Sequence, residues 1–197
     1  QLMVFNLAEQ REQTLATIVK ELDVQATNSR PAHVVAVSGA LRFTGRLPLQ
    51  EGARLLDIVA LAGGMQPGTE LFYGVIARTR YPNRSIEAVS FNLAAALADP
   101  TAAANLIVEP GDRLYFFDDE GNRSELMSKE IEQLRRQATY GSHERLVAIQ
   151  GEVLHPGVYP LATEMRASDL LCAARGLTRK AYGLGAELSR VRRSANA

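Results

Sequence analysis

The sequence predicts an α+β fold, built from repeated units in which one helix lies across a mixed sheet. Three observations predict it. The chain repeats itself at a fixed spacing. Each copy opens on alternating apolar residues punctuated by glycines, the pattern of a β-hairpin. Each hairpin then leads into a short segment whose apolar residues stand at helical spacing.

The repeat comes first, because it organises everything else. The stretch "AVSGALRFTGRLPL" (36–49) returns as "AIQGEVLHPGVYPL" (148–161), so that Gly39 and Gly151 stand 112 residues apart. The same gapless offset carries Val35 onto Val147, Gly45 onto Gly157, Pro48 onto Pro160 and Arg54 onto Arg166. It also carries Asp57 onto Asp169, Ala62 onto Ala174 and Gly64 onto Gly176. Running backwards, it places Gln25 and Ala26 on Gln137 and Ala138, and Leu2 and Phe5 on Leu114 and Phe117. The expected organisation is a closing strand of a preceding unit (1–5), a helical linker (6–32) and one complete unit (33–118). A second linker (119–144) and the first part of a second unit (145–197) follow.

Within the complete unit, residues 34–41 alternate around Gly39 and read as a strand, a turn falls at Thr44-Gly45, and 46–49 return as a second strand. In the second copy Pro156-Gly157 occupies the turn, which is type II chemistry. Residues 54–62 place Leu55, Ile58, Val59 and Ala62 on one helical face, and Gly63-Gly64 supply a stop. Residues 71–80 and 85–93 read as strands joined at Pro82-Asn83, and 94–104 as a short helical stretch broken by Pro100. The Pro110-Gly111 turn then leads into a closing strand. In the linkers, Leu15, Val19, Leu22 and Ala26 align with Met127, Ile131, Leu134 and Ala138, so both linkers present the same apolar stripe. Gly39, Gly45, Gly64, Gly111, Gly151, Gly157 and Gly176 are expected to serve backbone geometry.

Composition narrows the function classes. Lys plus Arg and Asp plus Glu are 22 each, a formal charge of zero. Nucleic-acid binding draws most of its affinity from phosphate neutralisation, so a neutral chain speaks against that partner. One cysteine, Cys172, allows no intrachain disulfide and no Cys-rich metal site. It aligns with Ala60 and is expected as a small core residue of its helix. His33, His143 and His155 have no ligand partner at diagnostic spacing. "DDEGN" (118–122) has the wrong acid spacing for a calcium loop and reads as charge and capping at a helix start. "GALRFTGR" lacks the Lys-Ser/Thr of a phosphate loop. No catalytic residue, metal site or cofactor is assigned. Arg78 and Arg80 recur as Arg190 and Arg192 on one face of a strand. With Tyr81 they are the candidate ligand contacts, against the reading of a solvated strand face.

The segment "VVAVSGALRFTGRLPLQEGARLLDIVALAGGM", with the later "NLIVEPGDRLYFF", resembles the soluble-ligand-binding β-grasp (SLBB) module. The features that carry the resemblance are the strand ending in V-x-G, the Pro-Leu pair, the D-hydrophobic-hydrophobic helix, A-G-G and a late P-G-D. The second copy departs from it by writing "AARG" at 173–176, with Arg175 where Gly63 stands.

Tandem modules joined by short helices look most like the polysaccharide export proteins of the Wza type. That resemblance implies a non-enzymatic periplasmic segment, associated with the outer membrane and part of a longer envelope protein. It also implies a homo-oligomer, a passing capsular or exopolysaccharide, and contact with inner-membrane export or polymerisation machinery. The alternative is a stand-alone soluble module that binds a glycan or small ligand. A redox-complex subunit is a third class, and it would need cluster cysteines beyond Cys172. Strand 2–5 is expected to pair with the second copy, in the same chain or in another molecule.

Overall fold

Strand alternation and capping chemistry account for the order of elements in the computed structural model, which describes residues 33–138, 144–163, 165–182 and 185–189. The first linker, the strand expected at 2–5, His143, Arg190 and Arg192 lie outside the described residues.

Strand β1 (Val34–Gly39) turns back as β2 (Gly45–Pro48), with Val35 opposite Leu47 and Val37 opposite Gly45. Helix α1 (Leu55–Leu61) follows. Its first turn is closed by the Asp57 carboxylate, which accepts the Arg54 backbone N–H at 2.8 Å. Its end is set by Gly63 and Gly64 at φ 76° and 91°, conformations that glycine adopts without strain.

A long hairpin comes next, β3 (Thr69–Arg80) and β4 (Ser85–Phe91), and then α2 (Leu93–Ala98), capped by the Asn92 side chain. Strand β5 (Arg113–Asp118) closes the unit. It inserts in the middle of the sheet, parallel to β1 and antiparallel to β3, giving the order β2-β1-β5-β3-β4. Helix α1, with the short α2 beside it, on a mixed five-stranded sheet is the expected α+β, β-grasp-like arrangement.

The central strand reads as an unbroken apolar run, Leu114 to Phe117, because both faces of the sheet are covered. Leu114 and Phe116 face α1 together with Leu55, Ile58, Ile76 and Phe91. Tyr115 and Phe117 face the opposite side with Tyr73, Val75, Ile86 and Ala88. Burying each such large side chain contributes about 1.5–3 kcal/mol. Gly39 ends β1 against β5, and a Cβ there would sit 1.7 Å from the Phe116 carbonyl oxygen.

The opposite face is covered by the second linker and the second copy. The linker folds as α3 (Arg123–Leu126) and α4 (Ser128–Gln137), and Met127, Ile131 and Leu134 are buried as their stripe predicts. Beyond it lie β6 (Leu146–Ile149), β7 (Gly157–Pro160) and α5 (Ala167–Ala173). This hairpin and helix reproduce the first at the same offset. Leu146 pairs with Pro160 as Val34 does with Pro48, and Ile149 pairs with Gly157 as Val37 does with Gly45. The Asp169 carboxylate accepts the Arg166 N–H at 2.8 Å, the same cap as in α1.

Two expectations need correction. Cys172 is exposed, as is the aligned Ala60. It sits two residues past the half-buried Leu170, about 200° round the helix, and so falls off the packed face. Gly157 does not adopt the left-handed backbone of a type II turn, whereas Gly39, Gly45, Gly64, Gly111, Gly151 and Gly176 all have positive φ.

Candidate functional site: the junction between the two copies

The site that the fold builds is the seam where the first sheet, the linker and the second hairpin meet. Its centre is aromatic. Tyr73 stacks on Phe117 at 5.5 Å and meets Tyr159 of β7 edge-on at 6.1 Å, both favourable ring geometries. The Tyr73 hydroxyl is buried with no hydrogen-bond partner among the described residues, and burial pushes its phenol well above the ordinary value.

Around this centre lie charges, one pair of them taken out of water. Arg123, at the start of α3, places its guanidinium 3.1 Å from the Glu70 carboxylate, with both side chains nearly dry. The same guanidinium donates to the Ala173 carbonyl at the end of α5 and lies 5.3 Å above the Phe117 ring. Arg175 reaches back from the second copy to Asp119 at 2.6 Å and to Glu70 at 3.5 Å. It does so at φ 61°, a backbone conformation that costs a side-chain-bearing residue about 1 kcal/mol. Gly63, its counterpart, is also left-handed at φ 76°, and a Cβ there would lie 2.7 Å from the exposed Phe43 ring. His155 replaces Phe43 in the second copy. Its imidazole is held below the ordinary value by burial first, then by Arg123 and Arg175.

The linker also closes two strand edges with single side chains. Gln137 donates to the Ile86 carbonyl at 3.1 Å and accepts the Ile86 N–H, continuing the ladder beyond β4. Ser124 does the same for β7, donating to the Val158 carbonyl at 3.2 Å and accepting its N–H at 3.3 Å. Exposed edges invite unwanted pairing, and these two are covered. The close approach explains Gly157, where a Cβ would lie 2.5 Å from the Ser124 hydroxyl oxygen. Glu130 of α4, almost fully buried, pairs with Arg113 at 3.2 Å and ties the linker to β5.

The arginines singled out from the sequence have separate environments. Arg78 is only 12% exposed at its side chain and is fully engaged inside the fold. Two of its nitrogens reach the buried Asp112 carboxylate, at 3.0 and 2.7 Å, and Nη1 reaches Glu109 at 2.6 Å. Asp112 in turn accepts the Glu109 N–H at 2.8 Å, which fixes the Pro110-Gly111 turn. Arg78 is therefore not a free element of a basic stripe, and a plain solvated face does not describe it either. Arg80 pairs with Glu87 at 2.8 Å and stays half exposed, and Tyr81 is largely exposed beside it. The Asp112–Arg78 clasp escaped the sequence reading. Its one visible signal was the acid of the P-G-D motif.

Among the described residues no group of three or more His, Cys, Asp or Glu side chains could hold a metal ion. At "DDEGN", Asn122 caps α3 by accepting the Glu125 N–H at 3.2 Å, and Asp118 accepts from Glu120 and Gly121. No described helix is long and apolar enough to cross a membrane.

The geometry consists of aromatic packing, one dry ion pair with half-exposed pairs around it, and edge closure where the first copy ends and the second begins. The protein-family comparison fits it. Residues 34–72 and 146–196 match the SLBB domain. Each matched stretch begins at the first strand of a hairpin and runs through its helix, so the match falls on the structurally repeated part. No curated protein matches the chain. Arg123 joins the two matched stretches, because it pairs with Glu70 in the first and donates to the Ala173 carbonyl in the second.

Proposed function

We propose that this chain is the non-catalytic SLBB repeat region of a polysaccharide export protein. On this reading it lies in the periplasm in association with the outer membrane. Its units shape the wall of a channel in a homo-oligomer, and the polymer passes in transient contact with them. Inner-membrane export or polymerisation machinery is the natural neighbour on the supply side.

The observation that carries the reading is the clasp at the seam. A wall must hold its shape against a moving polymer, and Ser124, Gln137, Arg123 and the Tyr73–Phe117–Tyr159 cluster tie the first sheet, the linker and the second hairpin into one block. The side chains that recur between the copies, such as Asp57 and Asp169, cap helices and turn strands.

The test is made in the source organism. Removal of residues 33–189 from the encoded protein is expected to abolish surface polysaccharide and leave polymer behind in the envelope, with the intact protein in the outer-membrane fraction. Unchanged surface polymer contradicts the export reading. Tight glycan binding by an isolated cytosolic monomer favours a stand-alone binding module instead.

A further inference from the structure

On the side of the sheet away from α1 lies a cleft of about 630 Å³, between the tip of the β3–β4 hairpin, the last turn of α4 and the approach to β6. Four arginines from four places in the chain line it: Arg80 on β3, Arg84 in the hairpin turn, Arg136 on α4 and Arg145 before β6. Glu87 is the one acid among its described lining residues. In a chain with no net charge, this is a local concentration of positive charge.

The cleft is built, and not only lined. Gln137 fixes α4 to β4 at Ile86, and Gln133 donates to the Arg84 carbonyl at 3.4 Å. Arg84 holds φ 54°, a strained conformation for an arginine, at the rim. The Thr163 hydroxyl accepts from Arg145 at 3.1 Å and donates to Glu87 at 3.2 Å, which ties the second copy to the cleft floor. Glu87 is already occupied by Arg80 at 2.8 Å, and that bond holds its carboxyl below the ordinary range. Arg84 has no ion pair among the described residues, and the Arg136 pair with Glu132 is an exposed helical one that competes weakly with a ligand.

We propose that this cleft binds the carboxylate groups of an acidic glycan. A guanidinium presents a planar fork that matches a carboxylate with two parallel hydrogen bonds. The side-chain amides of Asn83 and Gln133, which also line the cleft, supply donors and acceptors for sugar hydroxyls. Nucleic acid is disfavoured as the occupant, because none of the lining residues is an aromatic platform for bases. The proposal rests on the polysaccharide reading above and adds the charge class of the polymer and the place it touches.

The test is equilibrium binding of the whole chain to hexagalacturonate, with maltohexaose, polyphosphate and single-stranded DNA of similar length as comparisons. Hexagalacturonate is expected to bind, and maltohexaose is not. Arg84→Glu with Arg136→Glu is expected to weaken hexagalacturonate tenfold or more at an unchanged melting temperature. Arg46→Glu, exposed on the distant β2, is expected to leave binding unchanged. Should the double variant fail to fold, the single changes Arg84→Gln and Arg136→Gln are each expected to weaken binding about threefold. Binding that survives these changes, or equal affinity for polyphosphate or DNA, overturns the proposal. If the deletion above abolishes export while hexagalacturonate does not bind, the cleft assignment fails and the export reading stands.

Discussion

Ser124 and Gly157 approach so closely that a Cβ on the glycine would sit 2.5 Å from the serine hydroxyl oxygen. That hydroxyl both donates to and accepts from the Val158 backbone. The linker therefore serves as the outer neighbour of β7. Gly157→Ala is expected to destabilise the chain by about 1–3 kcal/mol, the range for forcing an extra methyl into a packed site. Ser124→Ala with Gly157→Ala is expected to cost less than the two singles added, because the serine is what the methyl strikes. A double-mutant cycle from urea denaturation checks this; strict additivity would show that the two residues do not meet.

Arg123 and Glu70 form a dry pair that spans the seam. Arg123→Met strands a buried carboxylate and is expected to cost about 3 kcal/mol, the low end for breaking such a pair. It falls at the low end because Arg175 remains 3.5 Å from Glu70. Adding Glu70→Gln is expected to recover most of the loss, since the uncompensated charge is then gone. Chemical denaturation of the three variants provides the comparison.

Arg175 pairs with Asp119 while its backbone is left-handed at φ 61°. Arg175→Ala keeps that strain and loses the ion pairs, whereas Arg175→Gly loses the pairs and relieves the strain. The glycine variant is expected to be more stable than the alanine variant by about 1 kcal/mol. Equal stability of the two would mean that the backbone is not strained in solution.

Much of this arrangement was legible in the sequence, and what was not has a common physical cause. The hairpins, α1, α5 and the buried stripe of α4 follow from local spacing, and their agreement in two copies fixes the register. Ser124, Gln137 and Glu130 gave no signal. Their partners are distant in sequence, and polar residues on a linker helix read as solvated until the opposing strand edge is seen. Arg78 shows the same limit: its role depends on β5 entering beside β3, which brings Asp112 within 2.7 Å. Gly157 aligns with Gly45 but serves a different need, close packing in one copy and a φ of 116° in the other.

His155 makes the seam sensitive to pH. Its folded-state value is depressed by burial and by Arg123 and Arg175, so between the folded value and the ordinary one the unfolded chain binds more protons. Stability is then expected to be fully present above the ordinary histidine value, and to fall with acidification until the folded value is reached. His155→Phe, which restores the residue of the first copy, is expected to lose less stability between pH 7.5 and pH 5.5 than the native chain. Parallel melting curves at the two pH values decide it, and identical losses would place no titrating strain at His155.

The central claim is that linker and second hairpin are welded to the first sheet as one structural block. Native-state amide hydrogen exchange tests it most directly. The account predicts that Val147 and Val158 of the second hairpin open with the same free energy as Tyr115 and Ile76 of the first sheet, and that Arg123→Met lowers all four together. Rapid exchange of Val147 and Val158, with Tyr115 and Ile76 still protected, would contradict it.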